Sequence, residues 1–540
     1  MREDKEIEVE DIDHLGLIAG IVDEIGIVEI INEILGTHEL EVVSAGHIVK
    51  AMILNCLGFL TAPLYLFQKF FEGKATEHLI GEGVKAEHLN DSRLGRVLDQ
   101  LYNQGLTNVF MVIALAALRK FGVESKIVHL DASSMCVQGE YENYNRNNTR
   151  RESQESQEPI PIEITHGYSR DHRPDLKQFT ITMMTSGDGD IPIYFKVGNG
   201  NDSDQRVFTE VVAEFQNQWL GVSSSVYVAD AALYHQENLI ALESTPWISR
   251  VPASINEAQQ LMQTIPSSMF TPSQINNYST TEVCTTYAGI QQRWVIVESQ
   301  SRLDSDLKQL DKRLESATST QSKALKQLSN HGFACVADAL DAAHQFNKKL
   351  KYHLLREIQV EKKPYYQKPG RPRRGEQPLG YTYHLHATLV INDQALLAQR
   401  TQAGRFILAT NLLDSQDWSS DRILTEYKNQ QSCERGFRFL KDPLFFASRL
   451  FVKLPQRVAA LSLVMALCLL VYSIGQRQLR LHLAQLAQTI PNQKGKPTAK
   501  PTLRWVFQCF QSIHLIWLEG QKWHIKLNDL QRHILSFFGS

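Results

Sequence analysis

Two short apolar runs, IVHLD ending at Asp131 and SVYVAD ending at Asp230, constrain this chain more than any other feature. Each is compact and largely β-branched, as a strand buried on both faces should be, and each delivers an aspartate to its carboxyl end. Open α/β sheets place their chemistry at that edge. A single aspartate there is more often a turn former, so what lies between the two runs matters. FTITMMTS and IPIYFKVGNG read as a hairpin turned at Gly187-Asp188-Gly189-Asp190, and a helix is predicted from about Ser203 to Gln218. A further helix is predicted from about Tyr234 to Leu242.

Strand, strand, strand, helix, strand, with acids closing the first and fourth strands, is the order of an RNase H-like core. RFILATN, Arg405 to Asn411, is expected to be its last strand. A third acid follows in YKNQQSCERGFRFLK, Tyr427 to Lys441. At about 100° per residue of helix, Tyr427, Gln430, Glu434, Arg438 and Lys441 fall within an arc of roughly 80°. That stripe alone could be a solvated helix face. With Asp131 and Asp230, however, Glu434 completes two Asp and one Glu, the minimal ligand set for paired magnesium ions acting on a phosphodiester.

The fold class expected is α/β: an RNase H-like catalytic core interrupted by a large mixed α+β insertion domain and preceded by an all-helical amino-terminal domain. The boundaries are 1–121 for the helical domain, 122–245 for the first part of the core and 246–403 for the insertion. They continue with 404–478 for the second part of the core and 479–540 for a helical tail. About two hundred residues separate Asp230 from Glu434, too many for a loop, and they carry strand and helix patterns of their own.

Charge is uneven. Residues 1–120 hold 10 Lys and Arg against 19 Asp and Glu, and the remaining 420 hold 46 against 40, so a polyanion is better met by the later part. The helical domain could read DNA through Arg93 and Arg96 or serve as an interaction module. The peptide HGYSRDHRPDLKQ offers His166, Arg170, Arg173 and Lys177 beside the acids, as phosphate contacts or as a solvated loop. Residues 362–378 concentrate six basic residues. Within them, Arg371, Arg373 and Arg374 of GRPRR could enter a narrow minor groove or touch phosphates without reading sequence.

Seven scattered cysteines, never spaced as CxxC, read as reduced thiols without a zinc site. The acidic start is unlike a signal peptide. VAALSLVMALCLLVYSI, Val458 to Ile474, is short for a membrane span and is expected to be a buried core helix.

With these residues in view, the chain resembles DDE transposases of bacterial insertion sequences, in the superfamily marked by Tyr-x2-Arg-x3-Glu-x6-Lys and its branch with a long insertion domain. Here the signature reads Tyr427, Gln430, Glu434, Lys441, with glutamine where the family has arginine. The resemblance implies Asp131, Asp230 and Glu434 as catalytic ligands of two Mg²⁺ ions, with Mn²⁺ as a substitute. It also implies that Tyr427 and Lys441 grip DNA, with Gln430 and Arg438 on the same stripe. Further, it implies cleavage at terminal inverted repeats followed by strand transfer into target DNA, by a homodimer or larger synaptic assembly in the bacterial cytoplasm at the nucleoid. No membrane and no small-molecule substrate are expected. The alternatives are an RNase H-like nuclease or resolvase without strand transfer, and a catalytically inactive DNA-binding descendant. A glycoside hydrolase using Asp131 and Glu434 would leave the basic loop and the stripe without a role.

Overall fold

The computed structural model describes residues 7–38, 41–59, 66–141, 159–202, 204–218, 225–366, 377–442, 452–518, 521–524 and 527–538. The chain divides into two compact units. The first comprises Met1–Ser249, Ala288–Ile290 and Thr425–Ser540, and the second comprises Arg250–Tyr287 and Gln291–Leu424.

The first unit opens with strand β1 (Ile7–Asp11), followed by helices α1 (Leu15–Ile25), α2 (Ile27–Leu35), α3 (Ala45–Leu57), α4 (Phe67–Phe71), α5 (Thr76–Leu79), α6 (Asp91–Asn103) and α7 (Leu106–Phe121). The amino-terminal segment is therefore not wholly helical. β1 pairs antiparallel with the strand His514–Leu518, so the carboxyl-terminal tail is mixed as well. Asn90 caps α6 by accepting from the Arg93 amide at 3.0 Å, as an N-cap Asn should. The Arg93 side chain is already used, 2.8 Å from Glu41 and donating to the Val43 carbonyl.

Next come β2 (Ile127–Val137), β3 (Lys177–Ser186), β4 (Pro192–Gly198), α8 (Asp204–Gln218), β5 (Val226–Ala229), α9 (Gln236–Ala241) and β6 (Trp247–Arg250). Their order across the sheet is β4-β3-β2-β5-β6. The hairpins β2/β3 and β3/β4 are antiparallel, whereas β2, β5 and β6 run parallel. WISR thus lies beside β5. The crossover through α9 returns the chain directly, as a parallel neighbour requires.

The second unit contains α10 (Asn256–Thr264), β7 (Thr271–Pro272), β8 (Tyr278–Tyr287), β9 (Ile290–Ser299), α11 (Gln300–Asn330) and α12 (Val336–Lys348). It continues with β10 (His353–Tyr365), β11 (Gly380–Ile391), α13 (Asp393–Gln402) and β12 (Arg405–Thr410). Arg405–Thr410 pairs antiparallel with β9. β10 and β11 form a long hairpin from His353↔Ile391 to Tyr365↔Gly380, and residues 367–376 of the basic segment between them lie outside the described residues. Leu325, Ala343, Leu355 and Leu385 pack α11 and α12 against this hairpin.

α14 (Ser420–Asn429) and α15 (Gln431–Leu440) precede α16 (Pro455–Gln485), which lies in the first unit. By length and composition α16 could cross a membrane, yet 89% of its most apolar window is buried inside the protein. Being apolar all round, it needs a partner on every side, and it packs on α1, α3, α6, α7 and β4. Arg457 is bidentate to Asp99 at 2.8 and 2.7 Å, and Arg477 to Asp188 at 2.9 and 2.6 Å. These pairs tie α16 to α6 and to the β3–β4 turn.

Candidate active site

Parallel pairing of β2 with β5 aligns Leu130 with Ala229, so Asp131 and Asp230 occupy the next register position on adjacent strands. Neighbouring strands lie about 4.8 Å apart, and two carboxylates at one register position share a face. Asp131 lies within β2 and does not close it, because pairing with β3 carries the strand on to Val137, whereas Asp230 follows the last residue of β5. Asp131 Oδ1 accepts from the Ala132 amide at 2.8 Å, and Asp230 Oδ1 from the Ala232 amide at 2.9 Å. Ser249 Oγ on β6 donates to the Asp230 carbonyl at 2.7 Å, holding the end of β5 in place. Below them His129 is fully buried, and burial pushes its pKa down to about 4, leaving a neutral imidazole.

The helix carrying Glu434 docks on this same strand. Cys433 Sγ donates to the His129 carbonyl at 3.3 Å, and Gln430 Nε2 to the Leu130 carbonyl at 3.5 Å. Gly436 brings α15 close to α16: a Cβ there would lie 3.1 Å from Leu469. The expected single helix from Tyr427 to Lys441 is broken at Gln430. There the chain makes tight three-residue bonds from the Gln430 amide to the Tyr427 carbonyl and from the Cys433 amide to the Gln430 carbonyl. Gln430 is 8% exposed, so the structure assigns it to anchoring α15 on β2 and not to an open DNA-contacting stripe. Glu434 and Arg438 stay on the exposed flank of α15, Lys441 is half-buried beyond its end, and Tyr427 is half-buried on α14.

The HGYSRDHRPDLKQ peptide meets both ends of the site. Arg170 lies 3.5 Å from Asp131, and its amide donates to Ser134 Oγ on β2 at 3.2 Å. Adjacent Asp171 pairs with Lys441 at 2.8 Å. One dipeptide therefore neutralises a candidate ligand carboxylate and a signature lysine together. Sequence reasoning missed Asp171, because an acid inside a basic peptide gives no local sign of its distant partner. Arg173 is bidentate to Asp175 at 2.8 and 2.7 Å, and Lys177 donates to the Tyr141 carbonyl at 3.4 Å. His166 is exposed. Arg371, Arg373 and Arg374 lie outside the described residues.

Asp131, Asp230 and Glu434 offer hard oxygen donors, the right class for magnesium. Among the described residues no three His, Cys, Asp or Glu side chains stand close enough to hold a metal ion. Asp131 and Asp230 bring carboxylates to neighbouring strands, and Arg170 supplies a positive charge to one of them.

Family models match two stretches of the chain: a domain of unknown function, DUF4277, over residues 7–115, and a transposase DDE domain over residues 124–471. No curated protein matches it. Among solved structures, a piggyBac transposase synaptic complex with hairpin DNA is similar over 85% of this chain and 74% of that one. Its identity is 10% and its TM-score 0.36, a likeness too distant to carry weight.

Proposed function

This chain belongs to the transposase DDE domain family, and from that premise we propose that it cuts DNA at the ends of a mobile element and joins them to target DNA, using Asp131, Asp230 and Glu434. The observation that carries this reading is the register of β2 and β5, which sets two aspartates side by side. The strand order β4-β3-β2-β5-β6 supports an RNase H-like core, and the second unit is read as its insertion domain. The amino-terminal helices are read as the end-binding or dimerising part, and the basic stretch 362–378 as a contact for the DNA backbone.

The family uses divalent metals, and bound Mg²⁺ or Mn²⁺ supplies the charge that a phosphodiester needs on its entering and leaving oxygens. Asp131, Asp230 and Glu434 are the residues that would hold these ions. The chain's own residues prepare this site. α15 is held on β2 by Cys433 and Gln430, so Glu434 is carried on a helix fixed to the strand of Asp131. Arg170 must yield Asp131 before it can act as a ligand, and Asp171 must yield Lys441 before that lysine can meet a phosphate.

Arg170→Gln is therefore expected to tighten Mn²⁺ binding about fivefold, since one charge pair at such range is worth about 1 kcal/mol even in water. The same change should weaken duplex binding. Titration of the protein with Mn²⁺, followed by electron paramagnetic resonance, checks the first effect; unchanged affinity would mean that Arg170 does not compete for Asp131. The whole reading is tested by incubating a labelled duplex carrying the flanking element ends with Mg²⁺ or Mn²⁺. Cleavage with joined products supports transposition, cleavage without joining supports a nuclease or resolvase, and binding without cleavage supports an inactive descendant.

A further inference from the structure

The second unit contains a pocket of about 270 Å³ lined by four arginines, Arg250, Arg302, Arg313 and Arg405, against one carboxylate, Asp306. Phe406 is its apolar support: the Arg250 and Arg302 guanidinium carbons lie 5.5 and 5.7 Å from the ring centroid. Stacking fixes the planes of both cations while leaving their N–H edges to donate.

The charges in this pocket do not balance. Arg405 is committed, to Glu298 at 3.0 Å, to the Met262 and Ile265 carbonyls and to Ser267 Oγ. Asp306 meets Arg302 at 3.4 Å and also accepts from the Gly404 amide at 3.0 Å. Arg250 and Arg313 have no carboxylate partner among the described residues. Several cations gathered in one concavity repel each other unless an anion joins them, and a concave wall focuses their field.

We propose that this pocket binds a phosphoryl group, held by the forked edges of Arg250, Arg302 and Arg313. Guanidinium groups match phosphate oxygens in pairs, which a point-charge lysine cannot do. The phosphoryl group comes from a DNA backbone or from free phosphate, and the chemistry of the site is the same for both. None of Asp131, Asp230 or Glu434 takes part.

The test uses the full chain and the double variant Arg250→Gln/Arg313→Gln, with Asp306→Asn as a counterpart. Duplex affinity is measured across a salt series, and melting temperature is measured with added inorganic phosphate or pyrophosphate. If the source is DNA, the double variant binds duplex about tenfold more weakly, and its salt dependence is shallower by about one for each phosphate it no longer neutralises. If the source is free phosphate, the added anions raise the melting temperature of the wild type but not of the double variant, and the salt dependence is unchanged. Either result supports the pocket. Asp306→Asn keeps an acceptor for Gly404 and removes the carboxylate charge that lines the pocket, so it should tighten the same binding several-fold, a gain that misfolding cannot imitate. Equal salt dependence and equal response to phosphate in wild type and double variant would overturn the proposal, leaving arginines that only pack on Phe406. A Glu434→Gln protein serves as control: loss of cleavage with phosphate binding intact separates this pocket from the carboxylate centre.

Discussion

Glu434→Gln is expected to lower metal-dependent nicking by at least about 10³-fold, equivalent to roughly 4 kcal/mol of transition-state stabilisation, with little change in melting temperature. Glutamine keeps the size and one oxygen of glutamate but removes the charge that a hard cation requires. Stability should be spared because Glu434 is exposed and has no hydrogen-bond or ion-pair partner among the described residues, and surface changes of this kind usually stay within about 0.5 kcal/mol. Asp131→Asn is a less clean probe, since it also removes the pairing with Arg170. The assay is end-labelled duplex cleavage in Mg²⁺ and in Mn²⁺, beside thermal melts of both proteins. Wild-type nicking by the variant would remove Glu434 from the ligand set and return the stripe to a solvated helix face.

How far the site was legible in the sequence depended on how local its causes are. Asp230 was visible as a strand end because a buried strand is a short apolar run and its end is marked by a polar residue; Asp131 was misplaced as one, because DASSMCV continues β2 to Val137 through its pairing with β3. The break at Gln430 was not visible. No Gly or Pro marks it, and its cause is tertiary: the side chain turns inward to the Leu130 carbonyl, 300 residues away in sequence. β1 was hidden for the same reason, because IEVED is polar and short and is a strand only through His514–Leu518. RFILATN reads as a strand, and local pattern could not say that it pairs with Ile290–Ser299. Asp171 shows the limit most plainly. Its neighbours gave the peptide a basic look, and only the fold shows that this acid holds Lys441.

Leu467→Asp is expected to prevent folding altogether. Leu467 is fully buried near the middle of α16, a helix that packs on α1, α3, α6, α7 and β4. An unpaired carboxylate there has no water and no cation, at a cost of several kcal/mol, against a total stability of about 5–15 kcal/mol for a typical domain. The milder Leu467→Ala should leave a folded protein weaker by about 2–5 kcal/mol, the range for deleting a large aliphatic side chain from a packed core. This pair also decides what α16 is for. If it is the core around which the amino-terminal helices assemble, wild type and Leu467→Ala stay in the aqueous phase without detergent, and the denaturation midpoint falls in the variant. If it crosses a bilayer, the wild type partitions into membranes and Leu467→Ala changes little, since lipid is as apolar as leucine and leaves no packed cavity. The first outcome is expected because Gly475 on the same helix is held tightly by protein: a Cβ there would lie 2.6 Å from Ile21 on α1 and 3.0 Å from Leu503.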